Sequence, residues 1–547
     1  MHPKEVAVSG AKTKQKEIAA LSAALLALID APVVTPTYKI SKSKFVAGMQ
    51  CLKRLYLQVH RPELATDTNH RIKEQGTEVG ILARRAFPDG VLVDTPSYEF
   101  ERATQETARL MADPRVNVIF EAAFFADGVR VRIDVLVRKE GGWEVSGIPD
   151  DVLAYCIGEV KSSTKVKDYH FGDVSIQAYV LRKAGVKVAH SVIVHLNPDY
   201  VYPGGEHDLT KLFVIEPVEP RPDYWIKQQL CEQFRILENP APPAVNVGRQ
   251  CTNPHECEFR SHCYGSLPAD DLAYLPISKS NKWDKIANLR KQASSILDIQ
   301  PNGNFTYAER DKIKAAQAAL RTGRIVIQPG LAAVLAGIRT PLAFVDFETL
   351  AVAIPRYPGM KPWQAVPMQY SVHMLKRGGL LEHREFLAET DGSDPRIAFI
   401  ENLLRDIAEA QTVAIWSPYE KTVLTKLAEV FPKYADRINA VIAKLWDMCR
   451  TFKDNVYHAE FRGSFSIKTV LPALLPELSY DDLKIAGLAA SGDSVLPAWN
   501  LMSDPSASLE ERQRIRQELL RYCERDTIGM YYLLTALVEA MQVQAAG

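Results

Sequence analysis

At 547 residues the chain exceeds what one ordinary hydrophobic core organises, and a prior of about 150 residues per domain implies roughly three or four units. A hydrophobic fraction of 47% against 24% charged residues excludes a largely disordered chain. Lys plus Arg and Asp plus Glu balance at 66 each, which excludes a global basic field. Any nucleic-acid contact must therefore come from local patches, such as Lys12, Lys14 and Lys16, or Lys39, Lys42, Lys44, Lys53 and Arg54.

Residues 1–36 read as an Ala-rich helical appendage ended by the prolines between Pro32 and Pro36. The sequence shows no signal-peptide pattern and no apolar run of membrane-spanning length, so a cytoplasmic protein with no membrane partner is expected. In that reducing compartment the eight cysteines are expected to be ligands or buried thiols rather than disulfides. Residues 37–266 form the first α/β domain, with strands expected over 116–125, 129–137, 155–161 and 191–196 and a helix over 176–183. Residues 267–339 read as a helical connector with a turn at 301–304. The pattern then restarts over 340–547, with strands expected at 342–347, 369–375, 384–388 and 412–416, a helix at 395–410 and a long helix at 509–543. No internal repeat relates the halves, which points to two different domains.

Asp134 lies inside a β-branched strand, where a charge costs several kcal/mol unless it is paired or bound to metal. Glu159 and Lys161 stand two apart on the next strand and share one of its faces. Two carboxylates holding a divalent cation, with a lysine to orient water or stabilise developing charge, suit phosphodiester hydrolysis. Taken alone, this trio fits a surface salt bridge better than a metal site. Arg132-Ile133-Asp134, then Gly158-Glu159-Val160-Lys161-Ser162-Ser163, then Gln177 on a helix, resembles the RecB-like branch of the PD-(D/E)XK nucleases. That resemblance implies a restriction-endonuclease-like fold in which Asp134 and Glu159 are metal ligands, Lys161 is catalytic and Gln177 supports the site. Glu121 on the preceding strand is a further candidate ligand. The branch's upstream His is replaced by Gly80, and its tyrosine four residues after the glutamine by Leu181 with Tyr179 nearby.

Cys251, Cys257 and Cys263 follow one another with five residues between each pair, and Cys51 lies far upstream. Three thiols in so short a segment imply a soft metal with a fourth ligand from elsewhere, and His255 and His262 leave a zinc reading open. The early Cys51-Leu52-Lys53-Arg54-Leu55-Tyr56-Leu57 with the later three cysteines resembles the iron-sulfur RecB-like nucleases of the CRISPR-associated and AddB type. The resemblance implies a structural 4Fe-4S cluster on Cys51, Cys251, Cys257 and Cys263. Cys156, Cys231, Cys449 and Cys523 are expected as core thiols.

Asp346 and Glu348 interrupt an apolar strand and share one face, an arrangement that a fold keeps mainly around a cation. Tyr522 and Asp526 share a face of the late helix. The pair of motifs resembles the DEDDy branch of the DnaQ-like exonucleases, which implies a ribonuclease H-like fold, metal-bound Asp346, Glu348 and Asp526, and a water-positioning Tyr522. Glu420 stands where the family has a further Asp, with Asp447 as the fallback ligand, and Lys468 is a candidate phosphate contact. The order of the halves resembles a bacterial family of unknown function that joins these two nuclease types. The combined expectation is a two-centre DNA nuclease dependent on Mg2+ or Mn2+. It would process ends or single strands, 3′ to 5′ in the C-terminal domain, in repair, recombination, CRISPR or phage defence. The alternatives are a nucleic-acid-binding scaffold with one or both sites inactive, prompted by Gly80 and Glu420, and a C-terminal domain acting on RNA.

Overall fold

The computed structural model describes residues 37–66, 70–138, 154–278 and 280–546, so the helix expected over 1–36 and its lysines lie outside the described residues. The chain is mixed α/β and divides into two compact units. The first holds the described residues up to 66, then 74–200 and 205–262; the second holds 70–73, 201–204 and the chain from Cys263 onward. No helix among the described residues is long and apolar enough to cross a membrane.

The first unit is built on a seven-stranded sheet ordered β2 (Val91–Leu92), β3 (Val118–Ala126), β4 (Val129–Arg138), β5 (Tyr155–Lys161), β6 (Val188–Leu196) and β7 (Phe213–Pro217), with β1 (Ile40–Ser41) paired to β4. Helices α1 (Lys42–Gln50) and α2 (Leu52–His60) follow β1, and α3 (His70–Arg84) and α4 (Phe100–Ala112) precede β3. Alternation on β4 turns Val129, Val131 and Ile133 into the core and leaves Arg130, Arg132 and Asp134 on the other face. Helix α5 (Asp168–Lys183) begins eight residues before the expected start at 176. Its apolar pattern has no polar stripe to read, because Ile176, Ala178, Tyr179, Val180 and Leu181 are all buried, against the sheet and its neighbouring helices. Helix α6 (Asp223–Leu237) packs on α1 and α2, and α7 (Arg260–Gly265) spans the division between units.

The segment expected as a connector folds within the second unit, as α8 (Lys282–Leu289) and α9 (Tyr307–Thr322) around a small core of Leu272, Tyr274, Ile286, Ile296 and Ile313, and α10 (Gly330–Ala336), whose Leu331 joins the larger core with Leu342 and Phe344. The main sheet of this unit has five strands, β8 (Leu342–Ala351), β9 (Ala365–Leu375), β10 (Leu381–Leu387), β11 (Thr412–Ile415) and β12 (Leu445–Asp447). Their order is β10-β9-β8-β11-β12, antiparallel across the first three and parallel from β8 to β12. Helices α11 (Arg396–Asp406), α12 (Tyr419–Val430) and α13 (Ala435–Ile442) cover one face, where Ala343, Val345 and Phe347 of β8 join the core. The other face receives α14 (Met448–Asn455), α15 (Ile467–Leu474), α16 (Gly492–Ser503) and α17 (Leu509–Ala546), where Leu342 and Phe344 meet Met530, Leu533 and Leu537.

Candidate functional site

On β8 the face that holds Leu342 and Phe344 continues, at the same spacing of two, through Asp346 and Glu348. On α17 the stripe of Met530, Leu533 and Leu537 runs back one helical turn to Asp526 and another to Tyr522. Both apolar stripes thus give way to polar groups at the same end of the contact. One oxygen each from Asp346, Glu348 and Asp526 lies within 4.8 Å of the other two. Burial, then Asp526, Glu348 and Glu420, raises the Asp346 pKa far above the carboxylate range. Burial, then Asp526 and Glu420, pushes Glu348 up to about 8 against the pull of Lys468. Burial likewise lifts Asp526 to about 6, although Tyr480, Lys468 and Arg525 favour its charged form. Carboxylates that oppose one another's ionisation at this distance fit a divalent cation.

Around the trio, Lys468 Nζ donates to Tyr522 Oη at 2.7 Å and lies over that ring, while Tyr480 Oη donates to Asp526. Cys523 Sγ lies 3.5 Å from Asp346 Oδ2. Glu420 is buried in the first turn of α12, where Ser417 Oγ donates to it at 3.2 Å, and burial raises its pKa to about 7. Its charge acts on both Asp346 and Glu348. Asp447, the fallback ligand, caps α14 by accepting from the Arg450 N–H at 2.8 Å, and its charge adds to the rise of Glu420.

In the first unit Asp134 Oδ2 accepts the Val160 N–H at 2.8 Å, which brings it beside Glu159. Glu159, 2% exposed, accepts from Lys42 Nζ at 2.9 Å, Lys161 Nζ at 2.8 Å and Gln177 Nε2 at 2.7 Å. Lys42 Nζ also lies 3.9 Å from Asp134, so one ammonium group faces both carboxylates. Burial alone would raise the Glu159 pKa, but Lys161 and Lys42 outweigh it and hold the group down at about 2. Burial and the neighbouring Glu159 push Asp134 up to about 7. Lys161 is completed by Asp173 at 2.5 Å, one turn before Gln177 on α5. Glu121 adds to the rise of Asp134 but is ion-paired to Arg84 at 2.8 Å, and with its φ of 56° it drops out of the β3–β4 ladder, whose register is the same on either side of it. Tyr179 is turned away from this cluster, with its hydroxyl on Asp127.

Cys51 sits between α1 and α2, and the preceding Gln50 fastens that junction to the cysteine loop through the carbonyls of Gln250 at 2.6 Å and His255 at 2.8 Å. Within the loop the Cys257 N–H donates to the Cys251 carbonyl at 3.0 Å. Burial pushes the Cys257 thiol up to about 12, with Glu258 and the neighbouring Cys51 adding to the rise. Cys51 thus stands near Cys257, and a backbone bond ties Cys257 to Cys251, but among the described residues no three cysteine sulfurs lie within 4.8 Å of one another, and Cys263 lies on α7 past the division between units. Cys156, Cys449 and Cys523 are buried as expected, but Cys231 is exposed because its position on α6 faces away from the packed stripe of Ile226, Leu230 and Phe234. Within the basic cluster, Lys42 enters the carboxylate pair and Arg54 binds Glu258 at 2.9 Å.

Residues 343–466 match a family described as a domain of unknown function, DUF2779. No curated protein matches the chain. The matched segment carries Asp346, Glu348 and Glu420 and stops before Lys468, Tyr522 and Asp526. Among the participating residues, sequence reasoning missed Lys42, Asp173 and Tyr480 as site groups. Asp173 was accessible through its spacing of four from Gln177 on one helix. Lys42 and Tyr480 reach their carboxylates from 117 and 46 residues away in the chain, and no local pattern reports that.

Proposed function

We propose that the chain is a metal-dependent nuclease that acts on DNA ends or single strands, with the better-defined centre in its second unit. The convergence of Asp346, Glu348 and Asp526 within 4.8 Å carries this reading. Mg2+ or Mn2+ bound to those carboxylates would polarise the phosphate and make water a nucleophile at neutral pH. The chain's own groups do the remainder. Tyr522, fixed by Lys468, orients the attacking water, and Lys468 stabilises charge that develops on the phosphate. Glu420, buried in the first turn of α12, supplies the further acid of a DEDDy-type exonuclease. The central position of β8 between an antiparallel and a parallel neighbour supports the ribonuclease H-like assignment, with 3′ to 5′ polarity as its corollary.

In the first unit Asp134 and Glu159 form a second, RecB-like centre, with Lys161 as its catalytic amine and Gln177 holding Glu159 in place. Cys51, Cys251 and Cys257 would contribute thiolates to a structural 4Fe-4S cluster. A second reading of this unit is phosphate binding without cleavage. Lys42 favours it, because an ammonium already neutralises the carboxylate pair.

The test is cleavage of 5′- and 3′-labelled DNA and RNA strands by anaerobically purified protein with Mg2+ or Mn2+. Asp346→Asn is expected to lower 3′-end trimming by roughly 100- to 1,000-fold. Unchanged trimming in that variant overturns the reading of the second unit. Faster trimming of RNA than of DNA overturns the substrate class alone.

A further inference from the structure

Beside the carboxylate trio lies a group of residues with a different donor chemistry. His373 on β9 and His383 on β10 are directly opposed across the strand pair, with their rings stacked at 4.5 Å and 21°. They face α17 through Glu524, and one ligand atom from each of His373, His383 and Glu524 lies within 4.8 Å of the other two.

Buried hydroxyls hold one nitrogen of each ring. Thr527 Oγ1 lies 3.1 Å from the Glu524 carbonyl, 2.7 Å from Ser371 Oγ and 2.8 Å from His373 Nδ1, and Ser371 Oγ lies 3.0 Å from His383 Nε2. These contacts leave the second nitrogen of each ring, Nε2 in His373 and Nδ1 in His383, as the ligating one. Nδ1 of His383 stands 3.9 Å from Glu524 Oε1. Glu385 lies 4.0 Å from Nε2 of the same ring. Ser371 and Thr527, 1% and 0% exposed, form the buried relay that orients both imidazoles. Hydrogen-bonding the non-ligating nitrogen in this way is how proteins fix the tautomer and direction of a metal-binding histidine.

We propose that His373, His383 and Glu524 form a site for a borderline transition-metal ion, above all Zn2+, that ties the β9–β10 hairpin to α17. Two imidazoles and a carboxylate are a zinc donor set that leaves a fourth position for water. Hard Mg2+, by contrast, belongs with the all-oxygen trio. Glu524 precedes Asp526 by two residues on the same helix, so the bound ion fixes the segment that delivers Asp526 to β8. The ligands and metal class differ from those of the trio, and the site stands whether or not the chain cleaves nucleic acid.

Zinc alone, titrated into the full chain in competition with a chromophoric chelator, tests the proposal. Wild-type protein is expected to take up one more tightly held equivalent than His383→Ala, and Asp346→Asn is expected to retain that equivalent. Thr527→Val, which removes the hydroxyl that holds His373 without touching a ligand, is expected to weaken it by roughly 10- to 100-fold. All these proteins share the same cysteines, so the comparison isolates the histidine site. The His383 side chain is 28% exposed, which lets the fold tolerate its removal, and circular dichroism of each variant checks that. Equal zinc stoichiometry and affinity in wild type and a folded His383→Ala overturns the proposal. Loss of the equivalent in Asp346→Asn, with retention in His383→Ala, assigns the zinc to the trio and overturns it equally.

Discussion

Glu348 shows how far the surroundings of one side chain can set its chemistry. Burial, Asp526 and Glu420 bring it from the ordinary 4.5 to about 8, and burial carries Glu420 to about 7. These groups hold protons more readily in the folded chain than in the unfolded one. The stability they allow is therefore fully present below the ordinary carboxylate range and is lost as pH rises through it toward 8. Thermal melting in EDTA is expected to occur at progressively lower temperature from about pH 5 to about pH 8, less steeply in Glu348→Gln. Mn2+ is expected to raise the melting temperature more at the upper end of that range. Identical pH profiles for wild type and Glu348→Gln contradict the argument. Lys42 presents the opposite case, because its ammonium stabilises a charge instead of suppressing one. Glu159 is 2% exposed, so Lys42→Met leaves a buried carboxylate with one fewer cation. The expected loss is about 3 kcal/mol by urea denaturation, at the low end for a broken buried pair because Lys161 remains. A variant as stable as wild type would show that Lys42 contributes no net attraction.

Elements differ in how plainly the sequence announces them. Strand β5 begins and ends where its β-branched and aromatic residues predict, and β8 is legible from its apolar start. Its extension to Ala351 was not, because Asp346, Glu348 and Thr349 break the apolar run that marks a strand. The motif residues Asp346, Glu348, Tyr522 and Asp526 were readable because each pair has a fixed local spacing. Lys42 and the His373–His383 pair were not, since cross-strand register and helix docking bring them in from distant positions. The turn that precedes α15 illustrates a constraint of the same non-local kind. Gly463 has a φ of +68°, and a Cβ there would lie 2.5 Å from the Tyr274 carbonyl oxygen. Gly487 has a φ of +80° with nothing within 4 Å. Gly487→Ala is expected to cost about 1 kcal/mol for the left-handed backbone alone. Gly463→Ala adds a main-chain clash and is expected to cost roughly 2–3 kcal/mol, read as a lower denaturation midpoint. Equal midpoints for the two variants would mean that the loop carrying Tyr274 yields freely.

At the scale of the whole chain, each carboxylate centre is assembled within one unit and on that unit's own core. Asp134, Glu159, Lys161 and Gln177 stand on β4, β5 and α5 around the first core, whereas Asp346, Glu348, Glu420 and Asp526 stand on β8, α12 and α17 around the second. Among the described residues, every side chain named for a centre belongs to a single unit. Substitutions at sites without shared partners act additively, so under the two-centre reading the losses should be independent. Asp134→Ala is expected to leave 3′-end trimming at the wild-type rate while removing any activity that persists in Asp346→Ala. Single-turnover rates on one labelled duplex with a 3′ overhang, measured for both single variants and the double variant, check this. If the first unit only binds, Asp346→Ala should already equal the double variant, and Asp134→Ala should alter KM without altering kcat. If both centres cut, the double variant alone should be inert, with two cleavage patterns that disappear one at a time.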